Sequence, residues 1–448
     1  MKRLARLVAA AELPVILAMA PVLLFPTPER LKVLVVVPFI WLCASINGDR
    51  FIPRTPMNTA LGLLLGMVGV SLYATFDIQF SLEKVSGTVL GALLFWTVVR
   101  WLTTPRRLHV AVAVFLVVGA GLAVIGVIGV MTGSKAHAVA ELVEHWAMPV
   151  RLAFFETMNP YLGQMSGFGL NPNPIAGCLV LFVPLQAVLL VVGLRGYRRS
   201  MVTRQRAHWL LVFIQGLLLL ITAGTVWAMQ SHGAWAGLAV AAGVFLVSQN
   251  RVIRMLATSA AGVILALVAV LGTNDLIDTA TARSGINLAD AISIREDLWS
   301  KGLLGVQESP FTGLGMNTFR EIMPARYPLE FLTPPNEQIA HSHNNLIQAA
   351  WDLGIPGLVA YASLWILAAL LLIRIYRHSN ERVYRAIASG LGAGLIAHFT
   401  FGMTDAIPLG AKVGATFWLA LALVVGLHRV ALGSGMSHVS QIGPKGTG

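Results

Sequence analysis

Long apolar runs recur along this chain so closely that they leave little room for a water-soluble core. About 20 consecutive apolar residues cross a bilayer. Twelve such windows can be placed, near 5–25, 31–46, 58–75, 84–101, 108–131, 173–194, 208–228, 232–248, 252–272, 353–373, 386–403 and 411–430. The second is short. In hydrocarbon each backbone N–H and C=O must find a partner within the chain, and for isolated apolar windows only helices provide that. Of the 448 residues, 56% are hydrophobic and 12% charged, about half the usual charged share. The expected fold is an all-α polytopic membrane protein. It has about twelve transmembrane helices and a long polar loop between spans nine and ten.

Charge gives an orientation. With the N-terminus inside, the cytoplasmic segments collect 21 of the 32 lysines and arginines, in short loops such as Arg50–Arg54, Arg195–Arg206 and Arg374–Arg385. Such clustering beside spans marks the cytoplasmic face. Both termini are then cytoplasmic, and the long loop lies outside. The net charge of +12 sits mainly in the cytoplasmic loops. It therefore points to anionic membrane lipids as partners and not to nucleic acid. The opening MKRLAR and its apolar run resemble a signal peptide without a clean cleavage site, and are read as a retained first span. Cys43 and Cys178 fall in or at the edge of spans and cannot make a zinc site.

The expected organisation is spans one to nine over 1–272, an external active-site loop over 273–345, spans ten to twelve over 346–430, and a disordered cytoplasmic tail over 431–448. Near 132–172 the chain reads as an interfacial amphipathic helix. His137, Glu141 and His145 share one face there, with Glu144 adjacent, but the outer pair is two turns apart, a poor bite for one ion. A solvated polar face is the plainer reading. In the long loop SIREDLWSKGLLGVQ has helical spacing, and SPFTGLGMNTF breaks it with Pro310, Gly313 and Gly315. Pro324, Pro328, Pro334 and Pro335 rule out a long regular helix before AHSHNNLIQAAWDLGIPG, where two histidines and two asparagines precede an apolar helix. A histidine at the lip of the bilayer can accept a proton near neutral pH.

Several other patterns carry less. GTNDL and GLGMNTF lack the strand–turn–helix context of a phosphate loop or dinucleotide fingerprint. No nucleophile elbow is present, and external carboxylates do not cluster as a metal-dependent sugar transferase would need. NGDRF between spans two and three shares a few letters with a loop of facilitator transporters, but there the long loop should divide the halves.

Taken in order, Arg295, Trp299 and Gly302 in RxxxWxxG, then SPFTGLGMNTF, then HSHNNLIQAAWDLGIPGLVAY resemble the O-antigen ligase and polymerase family. LNPNPIAGCLVLFVPL, with Asn171, Pro172 and Asn173, and Asp405 in GMTDAIPLGAKVGATFW extend the resemblance from about 167 to 420. It implies a polyprenol-dependent membrane glycosyltransferase of GT-C-like fold. Such an enzyme acts without a metal or other cofactor, on the periplasmic face of a bacterial inner membrane. The implied donor is a glycan on undecaprenyl diphosphate; for a ligase the acceptor is lipid A-core oligosaccharide.

The resemblance also implies roles. His343 aligns with the family's essential histidine and would serve as general base, with His341 as the backup. Arg295 aligns with an arginine that binds the diphosphate, because a guanidinium fork matches phosphate oxygens. Where the family usually shows serine–arginine–glycine, this chain has Ser231, His232 and Gly233. His232 is then the second diphosphate candidate, unless Arg151, Arg283, Arg320 or Arg326 fills in. Asn173, Asn344, Arg320 and Arg326 are possible substrate-binding residues, although amides also cap helices. Asn345 and Gln348 share that ambiguity. For Asp352 and Asp405, a salt bridge to an external arginine is the plainer expectation. The leading function is O-antigen ligation by inverting transfer. A polymerase extending a lipid-linked glycan is the alternative within the class, and a transporter or flippase the alternative outside it.

Overall fold

The computed structural model describes residues 8, 11–132, 171–197, 205–249, 288–329 and 339–439. Residues 133–170 of the expected interfacial segment, span nine at 252–272, and Arg151 and Arg283 fall outside that set. Among the described residues every regular element is a helix. In chain order these are α1 (Glu12–Leu24), a 3₁₀ turn (Arg30–Val35), α2 (Val36–Ile46), α3 (Asn58–Ala74), α4 (Ile78–Trp101) and α5 (Pro105–Thr132). They continue with α6 (Pro172–Leu179), α7 (Val183–Tyr197), α8 (Gln205–Ala228), α9 (His232–Gln249), α10 (Leu288–Glu308) and α11 (Phe319–Arg326). Last come α12 (Asn345–His378), α13 (Arg382–Phe401), a 3₁₀ turn (Lys412–Gly414) and α14 (Ala415–Val439).

Among the described residues six segments are long and apolar enough to cross a membrane: Ile78–Trp101, Pro105–Met131, Pro172–Arg195, His208–Ala228, Asn345–His378 and Lys412–Gly433. Glu12–Leu24, Asn58–Ala74 and His232–Val247 are shorter apolar helices. The second expected span is not one continuous helix: the 3₁₀ turn Arg30–Val35 leads into α2, which has 11 residues. At 1.5 Å per residue α2 is only about half the length a perpendicular crossing needs. The helix of the last span continues to Val439, so the tail expected from 431 begins as helix.

Small residues let the helices approach. α9 meets α13 where a Cβ on Gly237 would stand 2.4 Å from the Ala397 carbonyl oxygen, and α7 crosses α13 beside Gly390. Close backbone approach of this kind replaces the hydrophobic drive that helices lack in lipid. α4 packs along α14 with Gly91 against the Trp418 indole. Near the C-terminal end of α4, buried Glu12 accepts hydrogen bonds from Trp41 Nε1 (2.9 Å) and Thr97 Oγ1 (3.0 Å) and pairs with Arg100 Nε at 3.0 Å. This network ties α1, α2 and α4, and the Arg100 charge compensates the buried carboxylate.

α12 is broken near its N-terminal end, which positions the elements packed on its first turns. Gly354 has φ 68° and ψ 180° inside the helix, and Pro356 follows. Only glycine adopts that conformation without cost. The break frees the Trp351 carbonyl and the Ile355 N–H. Both are taken up by the 310–314 turn: Leu314 N–H donates to Trp351 O and Ile355 N–H to Pro310 O, each at 2.7 Å. The turn-rich stretch after α10 therefore plugs the kink. Above it Leu298, Val306, Leu314, Phe319, Met323, Tyr327, Ala350 and Trp351 form a second core, separate from that of the bundle. Trp351 is fully buried there and donates from Nε1 to Thr318 Oγ1 at 3.2 Å. This small core fixes α10 and α11 on the first turns of α12.

Candidate functional site

Two histidines and an aspartate meet where α12 begins and α13 ends. Asn344 caps α12, its Oδ1 accepting from the N–H groups of Leu346 (2.9 Å) and Ile347 (3.2 Å). An asparagine at this position satisfies two of the helix's orphan donors. The next residue splices the two elements: Asn345 N–H donates to Gly402 O at 2.7 Å, and its Oδ1 accepts from Ile407 N–H at 2.8 Å. On the other side Ser342 N–H donates to Gln348 Oε1 (2.8 Å), and Gln348 Nε2 donates to Asp352 Oδ1 (2.8 Å). The histidine turn is thus held at both ends by buried amides.

That clamping sustains an uncommon backbone. His343 has φ 52°, in the left-handed region. For a residue with a Cβ this costs of order 1 kcal/mol and persists only where the surroundings enforce it. The conformation turns the ring to Asp405, whose Oδ1 lies 2.9 Å from His343 Nδ1. His341 packs its ring against that of His343, centroids 4.5 Å apart, with Nε2 3.7 Å from the same oxygen. The salt bridge to an arginine expected for Asp405 is replaced by this imidazole pairing, and Asp352 binds Gln348 instead.

The hydrogen bonds assign the protons. A carboxylate only accepts, so His343 Nδ1 carries a hydrogen, and the neutral tautomer this selects has its lone pair on Nε2. Among the described residues nothing hydrogen-bonds to that Nε2, and the side chain is 35% exposed. His341 is different. Its Nδ1 accepts from the His343 backbone N–H at 3.4 Å. Burial, opposed by Asp405 and helped by His343, Lys84 and Arg320, pushes its pKa down to about 4. It is neutral at physiological pH. Burial also works against ionisation of Asp405, but the His343 hydrogen bond, the two imidazoles and the Ala406 N–H outweigh it and hold the carboxyl below its ordinary range.

A pH dependence of stability follows from His341. In the unfolded chain it takes up a proton near 6.5, in the folded protein only near 4. Stability fully present above pH 6.5 is therefore lost as pH falls toward 4, by up to about 3 kcal/mol. The depressed Asp405 adds loss only below its unfolded value, roughly pH 4. The melting temperature in detergent is expected to fall between pH 7 and 4.5, and more shallowly in His341→Asn. Equal slopes for the two proteins would refute this assignment.

The phosphate candidates distribute around the same corner. Arg295, on α10, donates from Nε to the Thr404 carbonyl at 3.0 Å, one residue from Asp405. Gly233 packs against Thr404 Oγ1 so closely that a Cβ would stand 2.5 Å away, which brings the start of α9 to that corner. His232, exposed, stands edge-on to Trp235 with centroids 5.5 Å apart. Arg320 is the exposed second residue of α11 and lies within electrostatic range of His341. Arg326 is engaged elsewhere: it pairs with Glu308 at 2.6 Å, beside Tyr327. Asn173 lies on the first turn of α6, its backbone N–H capped by Asn171 at 3.0 Å.

The Nδ1, Nε2 and carboxylate atoms of His341, His343 and Asp405 lie within 4.8 Å of one another, donor types that suit a zinc-like ion. The present hydrogen bonds oppose that use, because His343 Nδ1 and Asp405 Oδ1 are engaged with each other. Two residues escaped the sequence reading: Asp405 as the partner of His343, and Lys84, which also acts on His341. A lone lysine opening an apolar span, at the end expected to be external, was the available signal for the second.

Residues 217–362 match the family model described as O-Antigen ligase, a segment that holds Arg295, His341 and His343. The match bears out the family resemblance and supports an enzyme. A comparison with curated proteins found no match.

Proposed function

We propose that this chain, with its O-antigen ligase family segment, is an O-antigen ligase. It transfers a glycan from undecaprenyl diphosphate to a hydroxyl of lipid A-core oligosaccharide. The observation that carries the reading is the His343–Asp405 pair, which leaves His343 Nε2 as an unengaged base between cation-bearing helices. The acceptor hydroxyl attacks the anomeric carbon while Nε2 takes its proton. The glycosidic C–O bond to the diphosphate breaks, and undecaprenyl diphosphate departs with the bonding electrons. Asp405 holds the ring in the required tautomer and stabilises the imidazolium that forms. Arg295 meets the departing charge, with His232 as a second donor beside it. One direct displacement inverts the anomeric configuration.

The reaction needs no metal in this reading: the atoms an ion would use already serve the base and its partner. The topology proposed with it has twelve spans, both termini in the cytoplasm of a bacterial inner membrane, and the site on the periplasmic face. The arginine-rich short loops support that orientation.

Transfer should be measured in liposomes with an undecaprenyl diphosphate glycan, lipid A-core and excess chelator. Glycosylated lipid A-core, formed equally with and without chelator, is the expected result. Lengthening of the lipid-linked glycan instead would identify a polymerase. Dependence on a divalent ion would turn the His341–His343–Asp405 cluster into a metal site. Neither product, across several donors, would leave transport as the better account.

A further inference from the structure

The outer end of α4 carries a cation that this reaction scheme leaves unused. Asn317 Nδ2 donates to Phe80 O at 2.8 Å, and Ser81 Oγ donates to Met316 O at 2.7 Å. The 316–317 turn therefore rests on the first turn of α4. Lys84 follows about one turn further along α4, and Arg320 stands just past the same turn on α11. Docking the turn brings the two cations together: each lies within electrostatic range of the other, of Glu83 and of the His341 ring.

The charges around them do not neutralise the pair. Glu83 is matched by Lys412 Nζ at 3.0 Å. Asp352 lies within electrostatic range of Lys84, but its Oδ1 is hydrogen-bonded to Gln348. Asp405 is engaged with His343. Among the described residues neither the Lys84 ammonium nor the Arg320 guanidinium makes a hydrogen bond or a salt bridge. Lys84 is moreover mostly buried, with its backbone carbonyl pressed against Gly410. A cation withdrawn from water without a partner is costly, and an anionic ligand relieves that cost.

We propose that Lys84 and Arg320 form a second phosphate-binding site beside His341, on the α4–α11 wall and separate from Arg295 on α10. The site takes a phosphate or diphosphate oxygen of one of the two substrates, and this inference rests on the glycosyl-transfer reading above. Lys84 supplies a point charge and Arg320 a planar fork of donors, a combination suited to a phosphate group. The chemistry is the same whether the phosphate belongs to the lipid diphosphate of the donor or to a phosphorylated sugar of the acceptor.

The test uses the full chain in lipid nanodiscs, with steady-state transfer and direct binding of farnesyl diphosphate as a soluble donor mimic. Lys84→Met is expected to raise the KM of one substrate about tenfold, a loss of roughly 1.4 kcal/mol, with kcat changed less. Lys84→Arg should recover most of it, and Arg320→Gln should move the same KM in the same direction. If donor KM rises and farnesyl diphosphate binding weakens together, the site holds the donor. If acceptor KM rises while farnesyl diphosphate binds as before, it holds the acceptor. Unchanged KM values and unchanged binding in the variants, with transfer by the wild type intact, would overturn this site alone. Failure of the wild type to transfer or to bind the mimic would overturn the glycosyl-transfer reading, and this inference with it. Should Lys84→Met fail to fold, the exposed Arg320→Gln and the conservative Lys84→Arg carry the decision.

Discussion

Replacing His343 by alanine is expected to lower kcat for transfer by roughly 10²- to 10⁴-fold, the usual contribution of a positioned base. Donor binding should stay within about a factor of two or three, because the proposed mechanism has the base act on the acceptor hydroxyl and assigns the phosphates to other residues. His341 cannot take over. Burial pushes its pKa down to about 4, and its Nδ1 is turned to the backbone of residue 343. The variant needs a folding control, since residue 343 sits at φ 52° and alanine tolerates that region poorly. His343→Asn supplies it, because asparagine adopts left-handed backbone more readily while offering no basic nitrogen. Both variants should melt within a few degrees of wild type and both should be inactive. Transfer within threefold of wild type by either folded variant would remove His343 from the chemistry.

Asp405→Asn is expected to reduce kcat by about 10²-fold or more, with both KM values nearly unchanged. The substitution keeps the shape and an oxygen able to accept from Ala406 N–H at the 2.9 Å now observed. It removes the charge that steadies an imidazolium and the acceptor-only character that fixes the hydrogen on His343 Nδ1. Asp405 is a positioning residue in this account, so the split between kcat and KM matters. A purely structural role would lower the melting temperature and degrade binding along with turnover. Nitrogen NMR of the labelled histidines gives a second readout: wild-type His343 should be in the Nδ1–H form when neutral, and the variant a mixture. An unaltered tautomer together with unaltered kcat would separate Asp405 from the reaction.

The helical membrane architecture was legible from the sequence because hydrocarbon leaves so few choices. A window of apolar residues must hydrogen-bond to itself, and its length is set by the bilayer. The order of the motifs, from Arg295 to the histidine pair, was legible as well, and the family match covers that stretch. The helix ends were less so. α12 starts at Asn345, ahead of the window that begins near 353, because Asn344 caps it and the 310–314 turn satisfies the break at Gly354. Hydropathy reports only the apolar part of such a helix.

What tertiary structure alone decided is which polar groups meet. Asp405 lies 62 residues beyond His343 in the chain, and no periodicity links them. They come together because Asn345 hydrogen-bonds to both Gly402 and Ile407, which pins the start of α12 to the turn after α13. In the same way Lys84 comes within electrostatic range of His341 and Arg320 through the packing of α4 on the 316–317 turn and on Gly410. Apolar pattern is a local property that a single segment carries within itself. The partner of a buried charge depends on the path of distant segments, and it is fixed only when they pack.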